Sequence, residues 1–168
     1  FLGIAFAMGR VARGLQAEVS LPRASAARRA LVVCDPRGDL IGSYYEGLTL
    51  RDRLGERLEA DLRSSEVGLD EVRRLLREYD IVHFAGHAER PGADEGGPER
   101  GWWLRDGVLG PAGIRELSGG RRFPRLIFSN ACRSAGEALT LRMGTAGLAA
   151  AFLQAGVEHY IGTVHDVP

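Results

Sequence analysis

Two side chains able to do covalent chemistry stand out in this chain: the thiol of Cys132 and the imidazole of His87. A thiolate is a nucleophile and an imidazole can carry its proton, provided that rigid elements hold the two. Cys132 closes the run Leu126–Cys132 (LIFSNAC) and precedes Arg133-Ser134-Ala135-Gly136, where turn N–H groups can help to bind an oxyanion. His87 follows Gly86, which lets the chain turn sharply. The competing reading of Cys132 is an inert, small core residue. Cys34, inside an apolar run, reads as core. Asp35, at a strand end before Pro36, is either a turn former or a pocket acid. His83 and His87 have a spacing that binds zinc on a helix. This stretch reads as strand, where four residues span about 13 Å, too far for two ligands that must each come within about 2.1 Å. No metal is expected.

These groups need a scaffold that brings them together. Ala30–Cys34 (ALVVC), Asp80–Phe84 (DIVHF), Arg125–Phe128 (RLIF) and Glu158–Thr163 (EHYIGT) have the length and composition of strands. The first and third are almost continuously apolar, as strands covered on both faces of a parallel sheet must be. Leu50, Leu54, Leu58 and Leu62 recur at every fourth residue and predict one face of a single helix, weakened at Gly55. A second helix carries Leu69, Val72, Leu75, Leu76 and Tyr79, with Asp70 and Glu71 at the positive end of its dipole. Ala146–Ala155 (AGLAAAFLQA) predicts a helix pressed against the sheet and stopped by Gly156. Arg90–Arg100 reads as a mobile surface loop, and the stretch from Trp102 to Leu109 as a small hairpin turning at Asp106-Gly107. The double tryptophan is read as packing on the sheet edge rather than as a recognition surface.

Strands and helices in this alternation give an α/β fold with a mainly parallel sheet, right-handed crossovers and helices on both faces. Ligands of such sheets bind beyond the carboxyl ends of the strands. Cys34-Asp35, His87, Asn130-Ala131-Cys132 and His165-Asp166 emerge there, so a cysteine, a histidine and two carboxylates converge on one rim.

Composition narrows the function. The 168 residues suit one domain, residues 1–29 being a lead-in segment, and with no initiator methionine they read as a piece of a longer protein. The 22 basic residues, all arginine, balance 22 acidic ones, so no net charge steers the chain to nucleic acid or an anionic membrane. Arg73, Arg74 and Arg77 alternate with Glu71 and Glu78, the pattern of a solvated helix face. No glycine-rich phosphate loop follows a strand, and no cofactor is expected; a flavodoxin-like small-ligand binder is the weakest of the readings. The apolar opening Phe1–Met8 is much shorter than the roughly 20 residues that span a bilayer. Two cysteines are too few for a disulfide framework, which points to a reducing, cytoplasmic setting.

Val82–His87 (VHFAGH), Leu104–Leu109 (LRDGVL), Leu126–Cys132 (LIFSNAC), Gly147–Gly156 (GLAAAFLQAG) and Ile161–Val167 (IGTVHDV) resemble, in order, the CHAT domain of the clan CD cysteine peptidases, relatives of caspases and separase. The resemblance runs from about Ala30 to Pro168. His87 precedes Cys132 by 45 positions, close to the roughly 50 described for caspases, and Ala131-Cys132-Arg133 matches part of their nucleophile signature. The resemblance implies a caspase-like fold and a Cys132/His87 dyad that hydrolyses peptide bonds. It also implies an oxyanion hole formed by the backbone N–H groups of Ala88 and Cys132. Val164–Val167 is similar to the separase segment that supplies an acid to the primary pocket. Asp166, with Asp35 and with Asn130 at the same rim, is therefore expected to bind substrate and to select a basic residue before the scissile bond.

Two positions depart from the family pattern: Ala88 replaces the glycine usual after the histidine, and His165 replaces a tryptophan. A positive φ at Ala88 would cost about 1 to 2 kcal/mol. The expected partners are a protein or peptide substrate and a regulatory domain or protein, and the Arg90–Arg100 loop is itself a candidate cleavage site. The alternative is a caspase-like interaction module with weak or no catalysis.

Overall fold

A computed structural model describes residues 29–88, 101–118, 122–131 and 147–163. In chain order the elements are β1 (Arg29–Cys34), α1 (Ile41–Gly55), β2 (Glu59–Ser64), α2 (Leu69–Leu75), β3 (Ile81–Ala85), β4 (Trp102–Trp103), β5 (Val108–Leu109), α3 (Pro111–Leu117), β6 (Leu126–Asn130), α4 (Leu148–Gln154) and β7 (His159–Gly162). Five strands form one parallel sheet in the order β2-β1-β3-β6-β7. The α/β class, the parallel sheet and helices on both faces are as the sequence predicts. Expectations that fall on residues 1–28, the Arg90–Arg100 loop, Cys132, His165 and Asp166 lie outside the described residues.

The leucine spacing misleads in one place. Leu58 and Leu62 do not continue α1; the helix ends at Gly55, and the Leu54 carbonyl takes the N–H groups of both Arg57 and Leu58. Residues 59–64 then form β2, a parallel edge strand beside β1. Leu62 reaches the same apolar cluster as Leu50 and Leu54 from the strand instead of the helix. A four-residue repeat and a strand facing the same helix thus satisfy one burial pattern.

Opposite excursions of the chain give the sheet its two covered faces. Moving from β1 outward to β2 places α1 on one face; returning from β2 past β1 to β3 with the same hand places α2 on the other. The α1 face is a small cluster of Val32, Cys34 and Ala85 under Tyr44, Leu50 and Leu54. The opposite face is the main core, where Leu31, Val33, Val82, Phe84 and Ile127 pack under residues of α2, α3 and α4.

Trp102 ties the hairpin into this core. Its ring is fully buried, stacks on Phe84 at 4.4 Å and tilts against Phe152 at 5.0 Å. Its indole N–H donates to Ser129 Oγ at 2.9 Å, satisfying the polar edge of a buried aromatic. The hairpin expected between Trp102 and Leu109 is present, pairing Trp102 with Leu109 and Trp103 with Val108. Its turn residue Asp106 accepts the Leu69 N–H at 2.7 Å and so caps α2, whose own N-cap, Gly68, offers no side chain. No described helix is long and apolar enough to cross a membrane.

At Gly47 α1 lies tight against the sheet: an added Cβ would overlap Cys34 Sγ and lie 2.7 Å from Cys34 Cβ. Gly42, on the same helix, has nothing within 4 Å of that position. Alanine is intrinsically the better helix residue by about 1 kcal/mol, so packing alone decides the sign. Gly42→Ala should stabilise the protein by up to about 1 kcal/mol, whereas Gly47→Ala should destabilise it by about 1 to 3 kcal/mol. Cys34→Ala, added to Gly47→Ala, should recover part of the loss. Urea unfolding midpoints of the four proteins check this, and an unchanged midpoint for Gly47→Ala refutes it.

Candidate functional site

The strand order reverses between β1 and β3, since the chain leaves β1 for one neighbour and later fills the position on its other side. Such a switch point opens a crevice at the carboxyl ends of the two strands. The loop from Asp35 to Leu40, after β1, and Gly86-His87, after β3, meet there. The Asp35 N–H donates to the Ala85 carbonyl at 2.9 Å, which fastens the loop to the end of β3.

His87 stands half-exposed at this rim, with 40% of its side chain accessible. Its Nε2 lies 3.3 Å from Asp39 Oδ1, and its carbonyl accepts the Trp103 N–H at 2.8 Å. Gly86 before it is required for space rather than for a left-handed turn. A Cβ there would come within 2.9 Å of the Phe84 ring and 3.0 Å of Pro36 Cδ. Ala88 after it is buried, and its carbonyl accepts the Gly101 N–H at 3.1 Å. Among the described non-glycine residues, positive φ is confined to Asp35, Ser65 and Glu66, so Ala88 carries none of the strain that a glycine at that position would avoid.

Asp35 is buried, with φ 45°. Its Oδ1 accepts the N–H groups of Asp39 at 2.8 Å and Leu40 at 2.9 Å. Of the two roles open to it in the sequence, the one occupied by this oxygen is turn formation. Aspartate tolerates the left-handed region because its short side chain can bond locally in this way. Asp39, absent from the sequence-based candidates, is therefore delivered to His87 by Asp35.

Asn130 ends β6 beside Ala85, its register partner. Its Nδ2 reaches both oxygens of Glu46 on α1, at 3.0 and 2.9 Å. His83 Nε2 sits 3.2 Å from Glu46 Oε1 without the alignment of a hydrogen bond, and the His83 ring stacks on Phe128 at 5.3 Å. The two histidines of the HxxxH spacing thus face different carboxylates, Glu46 and Asp39. A mostly apolar groove of about 680 Å³, lined by Tyr45, Glu46, Leu50, Ile81, His83 and Phe128 among others, runs along the sheet beside α1. His87 is not part of it.

Burial pushes the Cys34 thiol above its usual range, only partly opposed by the neighbouring Ser64 hydroxyl; this cysteine is a buried core residue, as expected from its run. Cys132 follows directly after Ala131, a buried residue whose carbonyl accepts the Thr163 hydroxyl.

The Glu46 carboxyl is held below its usual value of 4.5 by His83 foremost and by Asn130, against the opposing effect of burial. A lowered folded-state value means stability that is present above 4.5 and disappears as pH falls through that lower value. Glu46→Gln should therefore lower the urea midpoint near neutral pH, and the gap to the parent protein should close well below pH 4.5. A gap that stays constant with pH would show that the carboxylate charge plays no part.

The family profile of the CHAT domain matches residues 6–168, beginning ahead of the stretch in which the sequence motifs are recognisable. No curated protein and no solved structure matches the chain. A match over almost the whole length, joined to a parallel sheet of the caspase-like kind, establishes that the chain belongs to the CHAT domain family, which is related to the caspase-like cysteine peptidases.

Proposed function

We propose that the chain is a cysteine endopeptidase in which Cys132 is the nucleophile and His87 the proton carrier. One observation supports this above the others. β3 and β6 are adjacent and parallel, with Ala85 opposite Asn130. His87 lies two positions beyond Ala85 and Cys132 two positions beyond Asn130. Neighbouring strands are about 4.8 Å apart, so equal offsets favour an imidazole and a thiol within reach of one another.

The reaction follows from these roles. Cys132 Sγ, ionised, attacks the scissile carbonyl carbon, and the oxygen of the tetrahedral intermediate takes up the charge. The Ala88 N–H makes no hydrogen bond among the described residues, which suits it, together with the Cys132 N–H, to that oxygen. As the C–N bond breaks, His87 gives its proton to the leaving amine. A water molecule then loses a proton to His87 and attacks the thioester, which releases the acid and restores the thiolate beside the protonated imidazole.

A preference for a basic residue before the scissile bond is part of the proposal. Asp35 Oδ1 is engaged by backbone N–H groups, so the main weight of that preference falls on Asp166. Control by an attached module or partner protein, and cutting of a protein or peptide substrate in the cytoplasm, complete the reading.

Alkylation and hydrolysis test it together. Cys132 should react with iodoacetamide far faster than the buried Cys34, and should lose that advantage in His87→Ala. Peptides from a positional-scanning library should be cut after arginine or lysine, with turnover falling about 10²- to 10⁴-fold in His87→Ala and vanishing in Cys132→Ala. Equal, slow labelling of both cysteines and no hydrolysis would instead make the chain an interaction module. Cleavage after aspartate would remove the basic preference alone.

A further inference from the structure

The contact between His87 and Asp39 belongs to a closed circuit of interactions. Asp39 Oδ1 lies 3.3 Å from His87 Nε2, while its Oδ2 takes the Arg37 Nε–H at 3.2 Å. The Arg37 guanidinium sits over the Trp103 ring, 5.7 Å from its centroid, within cation–π range. The Trp103 N–H returns to the His87 carbonyl at 2.8 Å. The main chain of Asp39 is fixed separately, by Asp35 Oδ1 at 2.8 Å.

An exposed ion pair is ordinarily weak, because two long side chains must be ordered and water screens the charges. Asp39 and His87 are both partly exposed, at 46% and 40% of their side chains. Here, however, the ordering is supplied from elsewhere. The carboxylate is short, its backbone is anchored by a buried aspartate, and its second oxygen is occupied by a guanidinium that an aromatic ring backs. Little freedom is left to lose when Oδ1 meets the imidazole.

We propose that Asp39 is a positioning residue that holds the His87 imidazole with its proton on Nε2, leaving Nδ1 as the nitrogen that exchanges protons with the thiol and the leaving amine. The inference rests on the reading of His87 as the proton carrier and adds a third, carboxylate member to the dyad. A carboxylate oxygen 3.3 Å from Nε2 repels a bare lone pair there and attracts an N–H. It therefore favours the Nε2–H tautomer and that ring orientation, even though the pair lacks the alignment of a hydrogen bond. When Nδ1 takes a proton, the same carboxylate faces the cation. Arg37 keeps the carboxylate turned toward the ring and is itself backed by the Trp103 ring.

The test pairs a direct view of the ring with turnover. Nitrogen-15 spectra of His87 in the Cys132→Ala protein report the tautomer whether or not the chain is a peptidase. The Nε2–H form should dominate there, remain dominant when Asp39→Asn is added, since the amide oxygen still accepts, and give way to a mixture with Asp39→Ala. In the protein with its thiol, peptide turnover should fall about 10- to 100-fold in Asp39→Ala, the range for losing a partner that orients a reactive group, with KM little changed. Asp39→Asn should fall between Asp39→Ala and the parent, and Arg37→Ala, which leaves Asp39 in place, should lose less than Asp39→Ala.

An unaltered tautomer in Asp39→Ala overturns the inference, whatever the turnover. So does an altered tautomer with full turnover, when His87→Ala is impaired. An altered tautomer in a chain that cuts no peptide sinks the peptidase reading instead and leaves Asp39 as the group that orients His87.

Discussion

The alignment of three parallel strands is the constraint on which the site depends. Cys34, Ala85 and Asn130 are successive register partners on β1, β3 and β6. Their carboxyl ends therefore finish level, and Asp35, Gly86 and Ala131, which follow them, start from one rim. A slip of one residue between parallel strands would exchange the faces of every side chain along the strand. The register is fixed because both faces of β3 bear on packing: Val82 and Phe84 belong to the main core, while Ala85 lies in the cluster beneath α1. Hydrophobic burial thus specifies where the two loops proposed to carry the chemistry begin.

From the rim outward, hydrogen bonds take over from burial. The loop after β1 has few apolar groups to bury and is ordered instead by one buried carboxylate. Asp35 accepts two backbone N–H groups of its own loop, its N–H is bonded to β3, and its carbonyl takes the N–H groups of Gly38 and Ser65. A buried carboxylate without such partners would be costly. With them, its left-handed backbone becomes a means of turning the chain back so that Asp39 faces His87. The hairpin performs the same service from the other side. Trp102 is locked into the core, which fixes Trp103 next to it and, through the Trp103 N–H, the main chain of His87.

Much of this was legible in the residues, and the exceptions have physical causes. β1, β3, β6 and β7 were readable because apolar runs of strand length leave few other options. β2 was not, because as an edge strand it alternates charged and apolar residues, and Leu58 and Leu62 prolong the leucine spacing of α1 by coincidence. The convergence of His87 and Asn130 on one rim followed from the element order alone. Asp39 was invisible for a different reason: Pro36-Arg37-Gly38-Asp39 has the composition of any surface turn. Only the bonds made by Asp35 Oδ1 single out one carboxylate of that turn from the other 21 acidic residues of the chain. Glu46 was equally hidden, a half-exposed carboxylate on a helix whose exposed residues mix polar groups with Ile41 and Tyr45.

Ala88 shows how a departure from a family pattern can be read physically. A glycine after the histidine suggests either a left-handed backbone or a close approach by another group. The first does not apply, since Ala88 has no positive φ. Its methyl group is instead part of the main core, 4% exposed and in the same cluster as Phe84, Trp102 and Ala131. That contact gives the segment after His87 a hydrophobic anchor that glycine lacks, and it lowers the entropy of the unfolded chain as well. An oxyanion donor must be a fixed N–H rather than a flexible one, because its value lies in needing no reorganisation as charge develops. Alanine here supplies the rigidity while leaving the N–H in place, so the substitution is compatible with the chemistry proposed for the site.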